Sequence, residues 1–192
     1  GVIGICGGFQ MIGARIEDPH GIENNGQPCA REGLGLLPVC TILHTEKITR
    51  PVRGRVRSQA WKQTAFHGYE IHVGETVLLD GAAPFAELTP GGADGATSAD
   101  GLVFGTYVHG IFDDDIFRHA FLDAARAACG LSPARDKAFV TAERDARLDR
   151  LAAHLRGSLD MDLIRSWIGA PGPAKAHAAL DPDAAWAGLQ CA

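Results

Sequence analysis

Cys6 stands in the run Gly4-Ile5-Cys6-Gly7-Gly8-Phe9-Gln10, between the short apolar stretch Val2-Ile3-Gly4-Ile5 and Phe9-Gln10-Met11-Ile12, which can open a helix. A side chain on a strand-to-helix corner of this kind stands out from a sheet edge. The flanking glycines are expected to remove the Cβ clashes that a sharp turn would meet. Free N–H groups at a helix N-terminus favour an anion there, and the N–H of Gly7 would point toward a developing oxyanion. The pattern reads as a nucleophile elbow with sulfur as the nucleophile. It also suits a small thiol buried beside glycines, because cysteine is among the most buried residue types. A histidine and a sheet edge would separate the two readings.

A thiolate attacks a carbonyl carbon well when a histidine manages the proton that must reach the leaving group. Of the 8 histidines, His109 has the best setting: it follows the apolar run Leu102–Val108 and precedes Gly110 and a helix with acidic residues at its start. His72 is second, in Gly68-Tyr69-Glu70-Ile71-His72-Val73-Gly74. Strand alternation places Glu70 and His72 on one face and Tyr69, Ile71 and Val73 on the other. The apolar face is expected to be buried, which leaves Glu70 and His72 facing a pocket or solvent. For both histidines a structural or surface role stays open. His20, His44, His67, His119, His154 and His177 read as ordinary surface or hydrogen-bonded residues.

These residues need a scaffold. A chain of 192 residues, 46% hydrophobic and 21% charged, has the composition of an ordinary globular protein with a real core. The net charge of −5 offers no basic surface for nucleic acid. No stretch reads as a signal peptide or a membrane span. The 5 cysteines are scattered without a Cys-x-x-Cys pair, which argues against structural zinc and a disulfide framework and for a reducing, cytoplasmic setting. The chain starts at Gly1, directly inside an apparent core strand, so further residues of the domain are expected upstream.

Residues 17–35 read as a long surface loop. Gly35–Leu43, Ile48–Val56, Ala65–Val73 and Leu102–Val108 read as strands, with turns rich in Gly and Pro over Asp80–Asp100. Asp113–Asp115 can cap a helix that Gly130 stops; a second helix runs over about 141–159, and Asp160 can cap a short third one. Loosely alternating strands and helices indicate an α/β layered domain with a largely parallel sheet, whose sites lie beyond the carboxyl ends of strands. Residues 1–168 are expected to form one domain and residues 169–192, rich in Ala, Pro and Gly, a tail of low order.

Gly4–Gly13 resembles the nucleophile segment of class I glutamine amidotransferases. Gly68–Gly74 is similar to the Gly-Tyr-Glu-Ile-His-Met-Gly signature of their cobyric acid synthase subgroup, and Gly105–Asp113 resembles its histidine segment. Asp149–Arg156 matches its C-terminal helix. The resemblance implies a flavodoxin-like, three-layer glutaminase domain, here N-terminally truncated. In it Cys6 attacks the side-chain amide of glutamine, His109 serves as base and then acid, and Gly7, Gly8 and Gln10 contact the oxyanion or the glutamine. Ordinary class I members carry a glutamate two residues after the histidine. Ile111 stands there, so a Cys–His dyad is expected, with Glu70 and His72 as candidate supporting residues.

The resemblance further implies that ammonia passes to an N-terminal synthetase domain. There ATP and Mg would drive amidation of carboxylates of the corrinoid adenosylcobyrinic acid a,c-diamide in cobalamin biosynthesis. No Gly-rich phosphate loop with a following Lys-Ser/Thr occurs in this chain, so no cofactor is expected here, and no metal site either. Other readings are an amidotransferase acting on a different carboxylate, such as a cell-wall precursor, and a non-catalytic binding domain that kept the fold.

Overall fold

A computed structural model describes residues 1–57 and 64–169. They divide into two units, Gly1–Ala138 and a second that begins at Phe139. The division falls inside the 1–168 span read from sequence as one domain. Of the 169–192 tail, all but Gly169 lies outside the described residues. In chain order the strands are β1 (Val2–Ile5), β2 (Arg15–Asp18), β3 (Cys29–Glu32), β4 (Val39–Val56), β5 (Ala65–Leu78), β6 (Ala86–Thr89), β7 (Gly92–Asp94), β8 (Ala96–Thr97), β9 (Val103–Thr106) and β10 (Val108–His109). The helices are α1 (Gly7–Ile12), α2 (Asp115–Ala128), α3 (Val140–Ser158) and α4 (Met161–Ile168).

Mixed sheets and helices place the first unit in the α/β class, but its sheets are not largely parallel. Parallel pairing is limited, among the described residues, to β1 with β9 and β2 with β4. A small sheet has the order β1-β9-β8, and a larger one runs β10-β5-β4-β2-β3 with β6 and β7 attached. The larger sheet is antiparallel elsewhere because no crossover helix separates its strands; β4 and β5 fold back on each other along nearly their whole length. β4 joins the two runs expected as separate strands, with a register shift between Leu43 and Ile48 absorbing the polar His44–Lys47 stretch. The expected loop over 17–35 holds part of a hairpin, in which Arg15–Asp18 pairs with Cys29–Glu32. The run Leu102–Val108 breaks at Tyr107, where the chain leaves the small sheet and enters the larger one as β10.

Two apolar clusters fix these layers. Phe9 and Ile12 of α1 pack with Leu37, Val39, Ala96 and Tyr107. Phe66, Phe85, Phe104, Val108, Ile111 and Phe117 join Val52, Val56 and Leu88 in the second. Asp114 caps α2, as the sequence indicates: its carboxylate accepts from the N–H groups of Ile116 and Phe117. The same carboxylate accepts from the N–H of His67, tying α2 to β5. In the second unit Asp160 caps α4 by accepting from Leu163 N–H, and Gly169 ends that helix in the left-handed region. Leu148, Leu151 and Leu155 of α3 and Leu159 at its end are exposed. No described helix is long and apolar enough to cross a membrane.

The glycines around the elbow act differently from the sequence expectation. A Cβ on Gly7 or Gly8 would meet nothing within 4 Å, so neither is required by crowding. Gly4 is: its Cβ would lie 2.6 Å from the carbonyl oxygen of Gly8. Gly105, its register partner on β9, would drive a Cβ into the ring of Phe9 at 2.0 Å. These two glycines let α1 lie directly on the small sheet. Gly4→Ala is expected to destabilise the first unit by about 1–3 kcal/mol in urea unfolding, since a backbone contact cannot be relieved by a rotamer change. Gly7→Ala should shift stability by no more than about 0.5 kcal/mol.

Candidate active site

Cys6 lies between β1 and α1 with φ 53° and ψ −117°. A non-glycine residue rarely adopts positive φ, and holding one there costs on the order of 1–3 kcal/mol. The strain is sustained by packing on both sides: Cys6 N–H donates to the Thr106 carbonyl at 2.9 Å, and Cys6 O accepts from Gln10 N–H at 3.2 Å. The half-buried thiol lies 3.6 Å from the carbonyl oxygen of Ile71 on β5.

His109 reaches the same strand. It pairs with Tyr69 in the β10–β5 register, and the two rings stack with centroids 5.2 Å apart. Tyr69 and Ile71 are two residues apart on one face of β5, a spacing of about 7 Å. β5 therefore presents the thiol and the imidazole at neighbouring positions. Nε2 of His109 is buried and has no hydrogen-bond partner among the described residues. Ile111, where ordinary class I members carry a glutamate, is fully buried in the apolar core.

Glu70 and His72 face a pocket, one of the two outcomes expected for them, but the face expected to be buried is the more open one. Both are buried, whereas Tyr69 is 45% exposed. Charge balance makes this possible: Arg50 Nε donates to Glu70 Oε2 at 2.6 Å, and His72 Nε2 lies 3.6 Å from Glu70 Oε1, an ion-pair distance long for a hydrogen bond. Burial pushes the Glu70 carboxyl up, but His72 and Arg50 outweigh it and hold it below the usual carboxylate value. The register partner of Glu70 is Val108, next to His109. Glu70 and His109 thus leave the ribbon on opposite faces, and Glu70 meets Arg50 and His72 instead.

Gln10 also faces inward. Its Nε2 donates to the Tyr107 hydroxyl at 3.3 Å, and that hydroxyl shares a 2.7 Å hydrogen bond with Thr76, which continues to Thr41 at 2.7 Å. Burial pushes the Tyr107 hydroxyl pKa up, so the group stays neutral.

The residue that sequence reasoning missed is Asp94. It sits in Gly91-Gly92-Ala93-Asp94-Gly95, which carries only the signal of a turn. Its Oδ2 accepts from Thr106 Oγ1 at 2.5 Å and its Oδ1 from Tyr107 N–H at 3.2 Å. Thr106 Oγ1 in turn accepts from Val108 N–H at 3.0 Å. One buried carboxyl thereby braces the peptide strap between the residue that holds Cys6 and the strand that carries His109. A cavity of about 720 Å³ opens on the Glu70 face of β5, walled by Arg50, Glu70, His72, Asp94 and Tyr107, with Phe9 at its side.

Residues 1–117 match the CobB/CobQ-like glutamine amidotransferase domain family. The chain belongs to that family. Among curated relatives it is 47% identical over 165 residues to the cobyric acid synthase of Azorhizobium caulinodans, covering 86% of this chain and 32% of the relative. It is 47% identical over 160 residues to that of Cereibacter sphaeroides, covering 83% and 31%. It is 37% identical over 182 residues to that of Moorella thermoacetica, covering 90% and 35%. The chain spans about a third of the length of these relatives.

Burial raises the Asp94 carboxyl to about 6, more than the Thr106 and Tyr107 hydrogen bonds offset, and the Glu70 charge adds to the rise. The folded state therefore holds this proton more tightly than the unfolded chain. The contribution of Asp94 to stability is greatest below the unfolded value of 3.8 and is lost as pH rises through about 6. Asp94→Asn removes that loss. Relative to wild type, the variant should gain up to about 3 kcal/mol between acid and neutral pH, read from unfolding curves across that range. An unchanged difference between the two proteins would show that Asp94 does not titrate in this window.

Proposed function

We propose that this chain is the glutamine-hydrolysing part of a cobyric acid synthase. The observation that carries the reading is the strained Cys6 at the sheet-to-helix corner, with His109 and its free Nε2 on the adjoining strand position. Family membership supports the same chemistry, and the relatives' name supports the acceptor class.

In this reading the Cys6 thiolate adds to the side-chain amide carbon of glutamine, and the carbonyl π pair moves to oxygen. The N–H of Gly7, in the first turn of α1 where no intrahelical acceptor exists, stabilises that oxyanion. His109 then protonates the departing nitrogen, the C–N bond breaks, and ammonia leaves a thioester. Water attacks the thioester while His109 takes its proton, and glutamate and the thiol are regenerated. With Gly7 and Gly8 bare of side chains, the space beside the thiol stays open to substrate. Gln10 acts indirectly, by fixing Tyr107, and Glu70 and His72 support the opposite face.

Ammonia is mostly ammonium at neutral pH and a poor nucleophile, so it must reach its acceptor without equilibrating with water. The acceptor would be the activated carboxylates of adenosylcobyrinic acid a,c-diamide, on an ATP- and Mg-dependent synthetase domain in the same longer protein.

The test is labelling by a glutamine-mimicking alkylator together with glutamate release. Cys6→Ala should abolish the label and lower hydrolysis by about 1000-fold or more. His109→Gln should lower hydrolysis by about 100- to 10,000-fold with the thiol intact. Labelling of the full-length polypeptide that does not depend on Cys6 would overturn the assignment.

A further inference from the structure

Neither acid position that could orient His109 does so. Ile111, two residues on, is apolar and fully buried. Glu70 leaves the opposite face of β5, where Arg50 Nε donates to it at 2.6 Å. Nε2 of His109 has no hydrogen-bond partner among the described residues. The imidazole instead meets the ring of Tyr69, with centroids 5.2 Å apart and planes within 11° of parallel. A stacked neighbour fixes the plane of an imidazole and makes no claim on either nitrogen. Tyr69 is 45% exposed and belongs to neither apolar cluster, so its ring does little for the core.

The backbone builds this contact. Tyr69 lies opposite His109 of β10 and opposite Pro51 of β4, so the three residues form a row across one face of the sheet. A Cβ on Gly68 would lie 2.4 Å from the His109 carbonyl oxygen, so glycine there lets β10 approach β5 closely. Gly110 takes φ 71° and turns the chain away directly after the imidazole. A Cβ at Gly110 would meet Tyr69 Cε1 at 3.6 Å, so the phenol ring reaches over this turn as well. We propose that Tyr69 is a positioning residue for His109, its ring holding the imidazole plane in the role that a carboxylate fills in ordinary class I amidotransferases. The proposal rests on the reading of Cys6 and His109 as the hydrolytic pair. Without the stack, the imidazole regains rotamers that point away from the thiol, and a misplacement of about 1 Å is enough to slow proton transfer severely.

The test uses the full-length polypeptide, with urea unfolding to establish that each variant is folded at the assay temperature. Tyr69→Phe keeps the ring and should release glutamate with kcat within about threefold of wild type. Tyr69→Leu removes it and should lower kcat by about 10- to 100-fold with KM moved by less than about threefold, because Tyr69 acts through His109 and not on glutamine. Tyr69→Thr, a strand former without a ring, takes its place if the leucine variant does not fold. The stack has its own signature in protein carrying 13C-labelled histidine. The His109 ring signal, identified by its loss in His109→Gln, should feel the ring current of Tyr69, change little in Tyr69→Phe and move in the ringless variant. A wild-type kcat without the ring, a phenylalanine variant as impaired as the ringless one, a rise in KM alone, or an unmoved His109 signal would overturn the proposal. Failure of the hydrolytic reading shows elsewhere, as glutamate release that survives Cys6→Ala, and the His109 signal reports on the stack in either case.

Discussion

Thr106 is the point on which the site depends. Its carbonyl accepts the N–H of Cys6 and holds the strained corner against the small sheet. Its hydroxyl donates to Asp94 and accepts from Val108, which fixes the step from β9 into β10. The residue is fully buried, so no water can replace either bond. Loss of this one contact set would release the backbone of Cys6 and the strand that carries His109 together. A buried carboxyl at Asp94 is tolerable because it is satisfied on both oxygens, and its raised proton affinity is the cost of placing it there.

β5 divides the unit chemically. The backbone carbonyl of Ile71 meets the thiol and the Tyr69 ring stacks on the imidazole, while Glu70 and His72 on the face opposite Tyr69 line a polar cavity. Tyr107 belongs to both regions, since its backbone lies in the strap that Asp94 braces and its ring walls the cavity. The hydroxyl chain from Gln10 through Tyr107 and Thr76 to Thr41 then links α1 to the β4–β5 ribbon without a formal charge. Polar groups in this interior are arranged as connected chains, which is what makes them compatible with burial.

What could be read from the sequence was local chemistry. The elbow at Cys6, the cap within Asp113–Asp115 and the helix stop at Gly130 each depend on residues a few positions apart, so their patterns survive without tertiary information. The face shared by Glu70 and His72 was equally legible from alternation. Which face is buried was not, because that depends on Arg50 arriving from β4, and the register that brings it follows the shift between Leu43 and Ile48. Asp94 left no pattern at all: an acid among glycines looks like a turn until Thr106 closes over it. The largely parallel sheet failed for a related reason, since two long strands without a crossover between them pair antiparallel.

The passage of one strand from the small sheet into the larger at Tyr107 has a consequence for assembly. β1 pairs with β9, far away in the first unit's sequence, so that contact carries a high loop-closure entropy. The ribbon of β4 and β5 joins segments closer in sequence and carries a smaller loop-closure entropy. The strained corner at Cys6 is thus held by a pairing between segments far apart in the chain, and its geometry stands or falls with the long-range closure of the small sheet.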